Sequence, residues 1–91
     1  MEKIIKDVDS ALRAEFPGAV TELELVNGKV WGYVLWDDFL DVSAVDRVTR
    51  VGAALRHYLG KNYRTKVLGI FPHTPLEISI MREELAMPQN H

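Results

Sequence analysis

An Asn-Gly pair constrains the fold of this chain more than any other feature of its sequence. Asn27-Gly28 separates two segments with the character of β-strands. Both central residues of a type I′ hairpin turn need positive φ, which Asn and Gly tolerate best. Residues 21–26 alternate polar and apolar side chains, and residues 30–36 are rich in β-branched and aromatic types. The sequence therefore predicts an antiparallel hairpin around this turn.

The two-residue turn also sets the hairpin register, which pairs Glu24 with Trp31 and Glu22 with Tyr33. Cross-strand partners point to the same side of a sheet. We predict that Trp31, Tyr33 and Leu35, on one side with the glutamates, form a protein interface or lie under the C-terminal segment or another subunit. An open aromatic face that stacks nucleobases is the alternative. The opposite side is expected to face the core, through Leu23, Leu25, Val30, Val34 and Trp36.

Two helices are predicted from apolar residues at three- and four-residue spacing. The first covers about residues 4–16 and ends at Pro17-Gly18. The second begins after Ser43, a favourable N-cap, and ends at Gly60, which suits a left-handed C-cap. Its apolar stripe is expected to include Val45, Val48, Val51 and Leu55, with Arg47, Arg50 and His57 on a separate polar face.

The C-terminal third of the chain allows two architectures. Residues 65–71 predict a third strand and residues 72–75 a turn. Residues 76–85 fit a helix, because Thr74-Pro75-Leu76-Glu77 is typical of a helix start, but they also alternate like a strand. The predicted fold class is α+β, a two-layer α-β-β-α-β sandwich with a C-terminal helix or a fourth strand. We expect one domain over residues 1–86 and a flexible tail over 87–91.

Composition narrows the class of protein. With 91 residues, 47% hydrophobic and 26% charged, the chain is long enough for one globular core and too apolar for a disordered segment. It has no cysteine, which excludes disulfide scaffolds and thiolate sites. We find no catalytic motif, zinc-type histidine spacing or phosphate-binding loop. The sequence therefore predicts a cytoplasmic protein that is not an enzyme, uses no cofactor or metal and does not span a membrane.

Basic residues are concentrated in one stretch. Residues 47–76 contain six Lys and Arg and no Asp or Glu, although the net charge of the chain is -2. Such a stretch can form a positive patch for phosphates, or it can be a solvated face beside acids from elsewhere in the fold. The residues predicted to bind nucleic acid or another anion are Arg47, Arg50, His57, Lys61, Arg64 and Lys66.

Three segments resemble the BolA-like family, whose fold is related to the class II KH domain. Residues 12–19 are similar to the end of its first helix and the turn that follows. Residues 39–55 are similar to its segment leading from a Phe into an Arg-bearing second helix. Residues 66–77 are similar to its third strand and Thr-Pro-x-Glu helix start. The resemblance implies that fold and a binding role.

The resemblance does not extend to the ligands of the family. Its third strand usually carries a histidine that ligates a cluster shared with monothiol glutaredoxins, and the matching residue here is Lys66. An ammonium group has no lone pair for a metal. The loop that can supply a second ligand is reduced to Asn27-Gly28, and no GxxG clamp for a nucleic-acid backbone occurs. The resemblance therefore does not imply iron–sulfur ligation.

These observations predict a small binding module with an adaptor or regulatory role. Its partner would be another protein or a second copy, so a homodimer or other homo-oligomer is one possibility. The alternative is a nucleic acid, bound by the basic second helix and the turn after it. The salt dependence of binding distinguishes a protein partner from a nucleic acid, because contacts to phosphate weaken steeply as the salt concentration rises.

Overall fold

The structure is a computed structural model that describes residues 3–86. It is an α+β domain with three helices and a three-stranded mixed sheet of strand order β1-β2-β3. The predicted flexible tail over residues 87–91 lies outside the described residues. The elements in chain order are α1 (Lys3–Glu15), β1 (Val20–Val26), β2 (Lys29–Leu35), α2 (Ala44–Leu59), β3 (Val67–His73) and α3 (Pro75–Ala86), with short 3-10 helices at Asp37–Asp41 and Tyr63–Thr65.

The hairpin forms in the predicted register. Asn27 and Gly28 have φ angles of 52° and 79°, as a type I′ turn requires. Glu24 pairs with Trp31 and Glu22 with Tyr33. The turn chemistry and the alternation of side chains therefore act together to fix which residues share each face of β1 and β2.

The third strand is shifted by two residues from its predicted position. Residues 65 and 66 do not belong to it, and Pro72 and His73 extend it, so the turn predicted for those two residues was wrong. β3 runs parallel to β2, and Pro72 pairs with Val34. Proline is tolerated because β3 is an edge strand, on which a missing N–H can face away from the ladder.

The hydrophobic core lies between one face of the sheet and helices α1 and α2. The fully buried side chains include Val8, Leu12, Phe16, Val30, Val34 and Phe39. Trp36 packs against this core and donates a hydrogen bond from Nε1 to the carbonyl of Pro17 at 2.9 Å. Leu25, expected in the core, is 37% exposed because it lies beside the hairpin turn on the outer strand β1.

Helix α2 is rotated relative to the prediction. The side chain of Val48, which was expected to be buried, is 61% exposed, and Val45 is also exposed. The buried stripe contains Arg47, Val51, Ala54 and Leu55. An arginine can face the interior here because its guanidinium meets a carboxylate and backbone carbonyls there.

The C-terminal segment is a helix, which settles the choice between helix and strand. The hydroxyl of Thr74 accepts a hydrogen bond from the N–H of Glu77 at 3.1 Å, and the carboxylate of Glu77 accepts one from the N–H of Thr74 at 2.9 Å. This reciprocal capping box explains why α3 starts at Pro75. Within residues 3–86, no helix is both long enough and apolar enough to cross a membrane.

Candidate binding surfaces

The sheet presents three aromatic rings on the side opposite α1 and α2. We call this set, Trp31, Tyr33 and Phe71, the aromatic face. Alternation along β2 points Trp31 and Tyr33 to the same side. The pairing of β3 shifts by one residue after Val30, so that Trp31 lies beside Gly69 and Tyr33 beside Phe71. The register of a parallel strand thus brings Phe71 to two rings that the hairpin had already placed together.

The three rings contact one another, edge-to-face for Trp31 with Tyr33 and with Phe71, and tilted for Tyr33 with Phe71. Their centroids are 5.4 Å apart for Trp31 and Tyr33, 5.8 Å for Trp31 and Phe71, and 6.1 Å for Tyr33 and Phe71. His73 continues the row, 5.9 Å from Tyr33. Gly69 leaves room for the cluster, since a Cβ there would lie 3.3 Å from the ring of Phe71. Such edge-to-face contacts stabilise an aromatic cluster beyond simple burial.

This face is only partly covered. Phe71 is 43% exposed, and Trp31 and Tyr33 are half-buried. Leu35, predicted to belong to the interface, is 7% exposed, so it has little surface to offer a partner. Arg82 of α3 reaches across to pair with Glu22 of β1. The helix therefore shields one part of the sheet and leaves the aromatic face accessible.

Carboxylates border the aromatic face on β1. Glu22 lies opposite Tyr33, and Glu24 lies opposite Trp31. The hydrogen bond between Arg82 and Glu22 raises the pKa of Arg82. A shallow cavity of about 320 Å³ lies among these side chains, lined by Glu22, Leu23, Glu24, Trp31, Tyr33 and Arg82. Arg82 offsets the charge of Glu22, so the charge of Glu24 remains beside the rings. This negative charge favours a basic ligand and opposes the approach of phosphate.

Arg47, the first of the predicted basic binding residues, is a buried structural group. Its Nε donates to the carbonyl of Val42 at 2.9 Å, and its guanidinium forms a two-pronged pair with Glu77. The hydrogen bond to Glu77 raises the pKa of Arg47, and the same contact, with the N–H of Thr74, lowers the pKa of Glu77 to about 2. The side chain of Arg47 is only 10% exposed and therefore offers little guanidinium surface to an external anion.

Arg50 is also engaged, although it is less buried. Its guanidinium carbon lies 5.3 Å from the ring centroid of Phe16 and 5.4 Å from that of Trp36, within the range of cation–π contacts. A guanidinium nitrogen lies 4.0 Å from a carboxylate oxygen of Glu15. One acid of the first helix, Glu15, thus does approach this part of the basic stretch.

A groove between α2 and β3 forms the second candidate surface. Its volume is about 750 Å³, in the size range of ligand pockets. Aliphatic residues such as Val48, Leu68 and Ile70 line it, with three cations, Lys29, Arg56 and Arg64, and no carboxylate. Of the predicted basic residues only Arg64 belongs to this groove. His57, Lys61 and Lys66 are exposed but do not line it.

Sequence reasoning missed four residues of these surfaces. Phe71 and His73 join the aromatic face only through the parallel register of β3. The alternation of Gly69, Phe71 and His73 was a signal, but the turn predicted at Pro72 obscured it. Lys29 and Arg56 are far apart along the chain, and only the packing of α2 beside β3 brings both to one groove.

Within the described part of the chain, no three His, Asp or Glu side chains lie close enough together to hold a metal ion. A comparison with the models of known protein families finds no match, and a search of curated proteins finds no relative. The surfaces themselves are therefore the basis for assigning a role.

Proposed function

We propose that this protein is a non-enzymatic binding module of BolA-like, KH-related shape that docks another protein on the aromatic face. The order α-β-β-α-β-α, with an antiparallel first pair and a parallel third strand, supports this shape. The capping box of Thr74 and Glu77 lies where the resemblance implies a Thr-Pro-x-Glu helix start. The presence of a C-terminal helix in place of a fourth strand also agrees with it.

One observation carries the proposal: Phe71 is 43% exposed within a cluster of three large rings. Trp and Tyr are enriched in protein interfaces because they bury much area and keep a polar tip. A half-covered cluster of this kind gains further burial when a partner closes over it. The bordering glutamates make a protein a better occupant than a phosphate-rich nucleic acid.

The same charges favour a different protein over a second copy. In a symmetric dimer, each partner uses the same surface patch. Each copy would then bring its Glu24 into the same interface, where no ion pair among residues 3–86 offsets its charge, and like charges brought together in an interface cost free energy. A homodimer through this face is therefore the less favourable form of the proposed interaction.

Site-specific photocrosslinking tests the proposal in cells. Phe71 is replaced by the photoreactive amino acid p-benzoylphenylalanine, and the adducts formed on irradiation are identified by mass spectrometry. Tyr58 of α2 provides a matched control, because it is an aromatic residue that is 47% exposed on another surface. We expect a protein adduct from position 71 that is absent from position 58.

An adduct between two copies at position 71 would also support the interface, with the chain itself as partner. Adducts that are the same from both positions, adducts to nucleic acid, or no adduct at position 71 would contradict the proposal. The thermal unfolding of each purified variant shows whether a missing adduct reflects a lost fold.

A second candidate function is the binding of single-stranded nucleic acid in the groove between α2 and β3. It is favoured by the aliphatic lining with Lys29, Arg56 and Arg64 and no carboxylate. The cations could contact phosphates while the bases lie on the apolar floor. The groove lacks an exposed ring for base stacking, since Tyr63 is buried, and this makes it the weaker candidate.

Amide NMR shifts on titration with ten-nucleotide RNA and DNA test this second function. Shifts that cluster around Arg56 and Arg64 and fade with salt would support it. The double variant Arg56→Gln/Arg64→Gln should then lose the shifts, whereas the control Lys61→Gln, an exposed cation outside the groove, should keep them. Spectra that do not change at low salt would exclude it.

A further inference from the structure

We infer that the partner presents an arginine to the aromatic face, seated over Trp31 and paired with Glu24. The inference rests on the proposed function and adds the chemistry of the occupant. It predicts that the segment of the partner that binds the aromatic face is basic and not purely apolar. Two observations lead to it: the chain's own arginine on this face, which pairs with Glu22, and a second pair of a carboxylate and a ring, Glu24 and Trp31, beside it.

Arg82 shows how a guanidinium fits this surface. It pairs with Glu22, which lies directly across the sheet from Tyr33. Arg82, Glu22 and Tyr33 all line the same cavity. A carboxylate on β1 thus holds one arginine by an ion pair, and an aromatic ring on β2 lines the same cavity.

The next pair along the strands repeats the same combination. Glu24 lies two residues beyond Glu22, about 7 Å along β1, and is directly across from Trp31. Among residues 3–86, no basic side chain forms an ion pair with Glu24. The carboxylate and the ring line the same cavity of about 320 Å³. Glu24 and Trp31 therefore offer a carboxylate and a ring, as Glu22 and Tyr33 do beside Arg82, and no arginine among residues 3–86 forms an ion pair with Glu24.

Arginine suits this position better than lysine does. Its planar guanidinium can stack on the indole of Trp31 and at the same time donate two hydrogen bonds to one carboxylate. Tryptophan is also the best ring for a cation–π contact. A single-stranded nucleic acid would stack on the same rings, but its phosphates would meet the carboxylate of Glu24, whose charge Arg82 does not offset because it pairs with Glu22.

An unbiased peptide selection tests the inference. A phage library of random twelve-residue peptides is selected on the immobilised full chain. Enriched peptides are synthesised, and their affinities are measured for the wild type and three variants, Glu24→Gln, Phe71→Ser and the control Tyr58→Ser. Because Glu24 is exposed, Glu24→Gln should keep the fold, which thermal unfolding verifies.

We expect peptides enriched in arginine whose affinity falls about fivefold in Glu24→Gln, the size of effect that one solvent-screened ion pair can have. The affinity should also fall when the arginine of the peptide is replaced by lysine. It should not change in Tyr58→Ser. Together these results would support an arginine at Glu24 and Trp31.

The experiment distinguishes a failure of the arginine inference from a failure of the proposed docking function. Peptides that need Phe71 but bind equally well to Glu24→Gln would overturn the inference and leave the aromatic face as a docking site. The absence of any peptide that depends on Phe71 would count against both. A ten-nucleotide RNA that shifts the Trp31 indole resonance would overturn the inference by making nucleic acid the occupant.

Discussion

Arg47 of α2 and Glu77 of α3 form a two-pronged ion pair, with Nη1–Oε1 at 2.6 Å and Nη2–Oε2 at 3.1 Å. The same carboxylate accepts a hydrogen bond from the N–H of Thr74. One side chain therefore caps α3 and connects it to α2. The same helix α3 carries Arg82, which pairs with Glu22 at the border of the aromatic face.

Arg47→Ala should lower the free energy of unfolding by about 2–3 kcal/mol, somewhat less than for a fully buried pair because Glu77 is partly exposed. The substitution removes the ion pair and leaves the carbonyl of Val42 without its donor. Urea denaturation measures the change. Arg56→Ala is the control on the same helix, and its exposed side chain should contribute much less. Equal losses in both variants would show that Arg47 is not a structural group.

Stability should depend on pH through Glu77. Hydrogen bonds from Arg47 and from the N–H of Thr74 lower its pKa in the folded protein from 4.5 to about 2. The carboxylate then stabilises the fold fully above pH 4.5, and this stabilisation is lost as the pH falls from there toward about 2. We expect a loss of about 1 kcal/mol, since solvent screens a partly exposed group.

Glu77→Gln is the control for this pH dependence. It should be less stable at neutral pH and should lose less stability on acidification, as followed by thermal unfolding between pH 7 and pH 2. Part of the dependence should remain, because the pKa of Asp9 is also lowered. Burial raises that pKa, but hydrogen bonds from Thr21 and Arg13 outweigh it. Identical pH profiles for wild type and variant would contradict the assignment to Glu77.

Gly32 should not tolerate a side chain. A Cβ at this position would lie 1.9 Å from the backbone carbonyl oxygen of Glu22, a severe overlap within the hairpin. Gly32→Ala should therefore destabilise the protein by about 3 kcal/mol or more, as measured by urea denaturation. In Gly52→Ala the new Cβ would meet only the Tyr63 hydroxyl, at 3.5 Å. This helical substitution should be neutral or stabilising by about 0.5–1 kcal/mol, and the reverse order of stability would contradict the hairpin packing.

Local chemistry made much of the fold predictable. The Asn27-Gly28 turn fixes the hairpin register, Ser43 and Gly60 limit α2, and the capping motif at Thr74 favours the helix that forms. The rotation of α2 was not predictable in the same way. Arg47 faces the interior because Glu77, thirty residues away, and the carbonyl of Val42 accept its hydrogen bonds there. Apolar spacing alone therefore assigned Val51 and Leu55 correctly to the buried stripe but also included Val45 and Val48, which are exposed.

The candidate surfaces were predictable only in part. Trp31 and Tyr33 follow from the hairpin register, whereas Phe71 joins them through a parallel pairing that contains a register shift. The distribution of charge along the sequence predicted a basic region, but it did not predict which of its basic side chains would be available to bind an anion in the fold. Arg47 and Arg50 are engaged by groups from distant elements, and Lys29 enters the groove from outside the basic stretch.

The most direct test of the central claim is the affinity of the protein partner identified at position 71. Calorimetric titration should compare the wild type with Phe71→Ser and Tyr58→Ser, two changes to rings of nearly equal exposure. We expect the first to weaken binding by about tenfold or more, as removal of an interface anchor does, and the second to leave it unchanged. Equal affinity for the wild type and Phe71→Ser would contradict a docking role for the aromatic face.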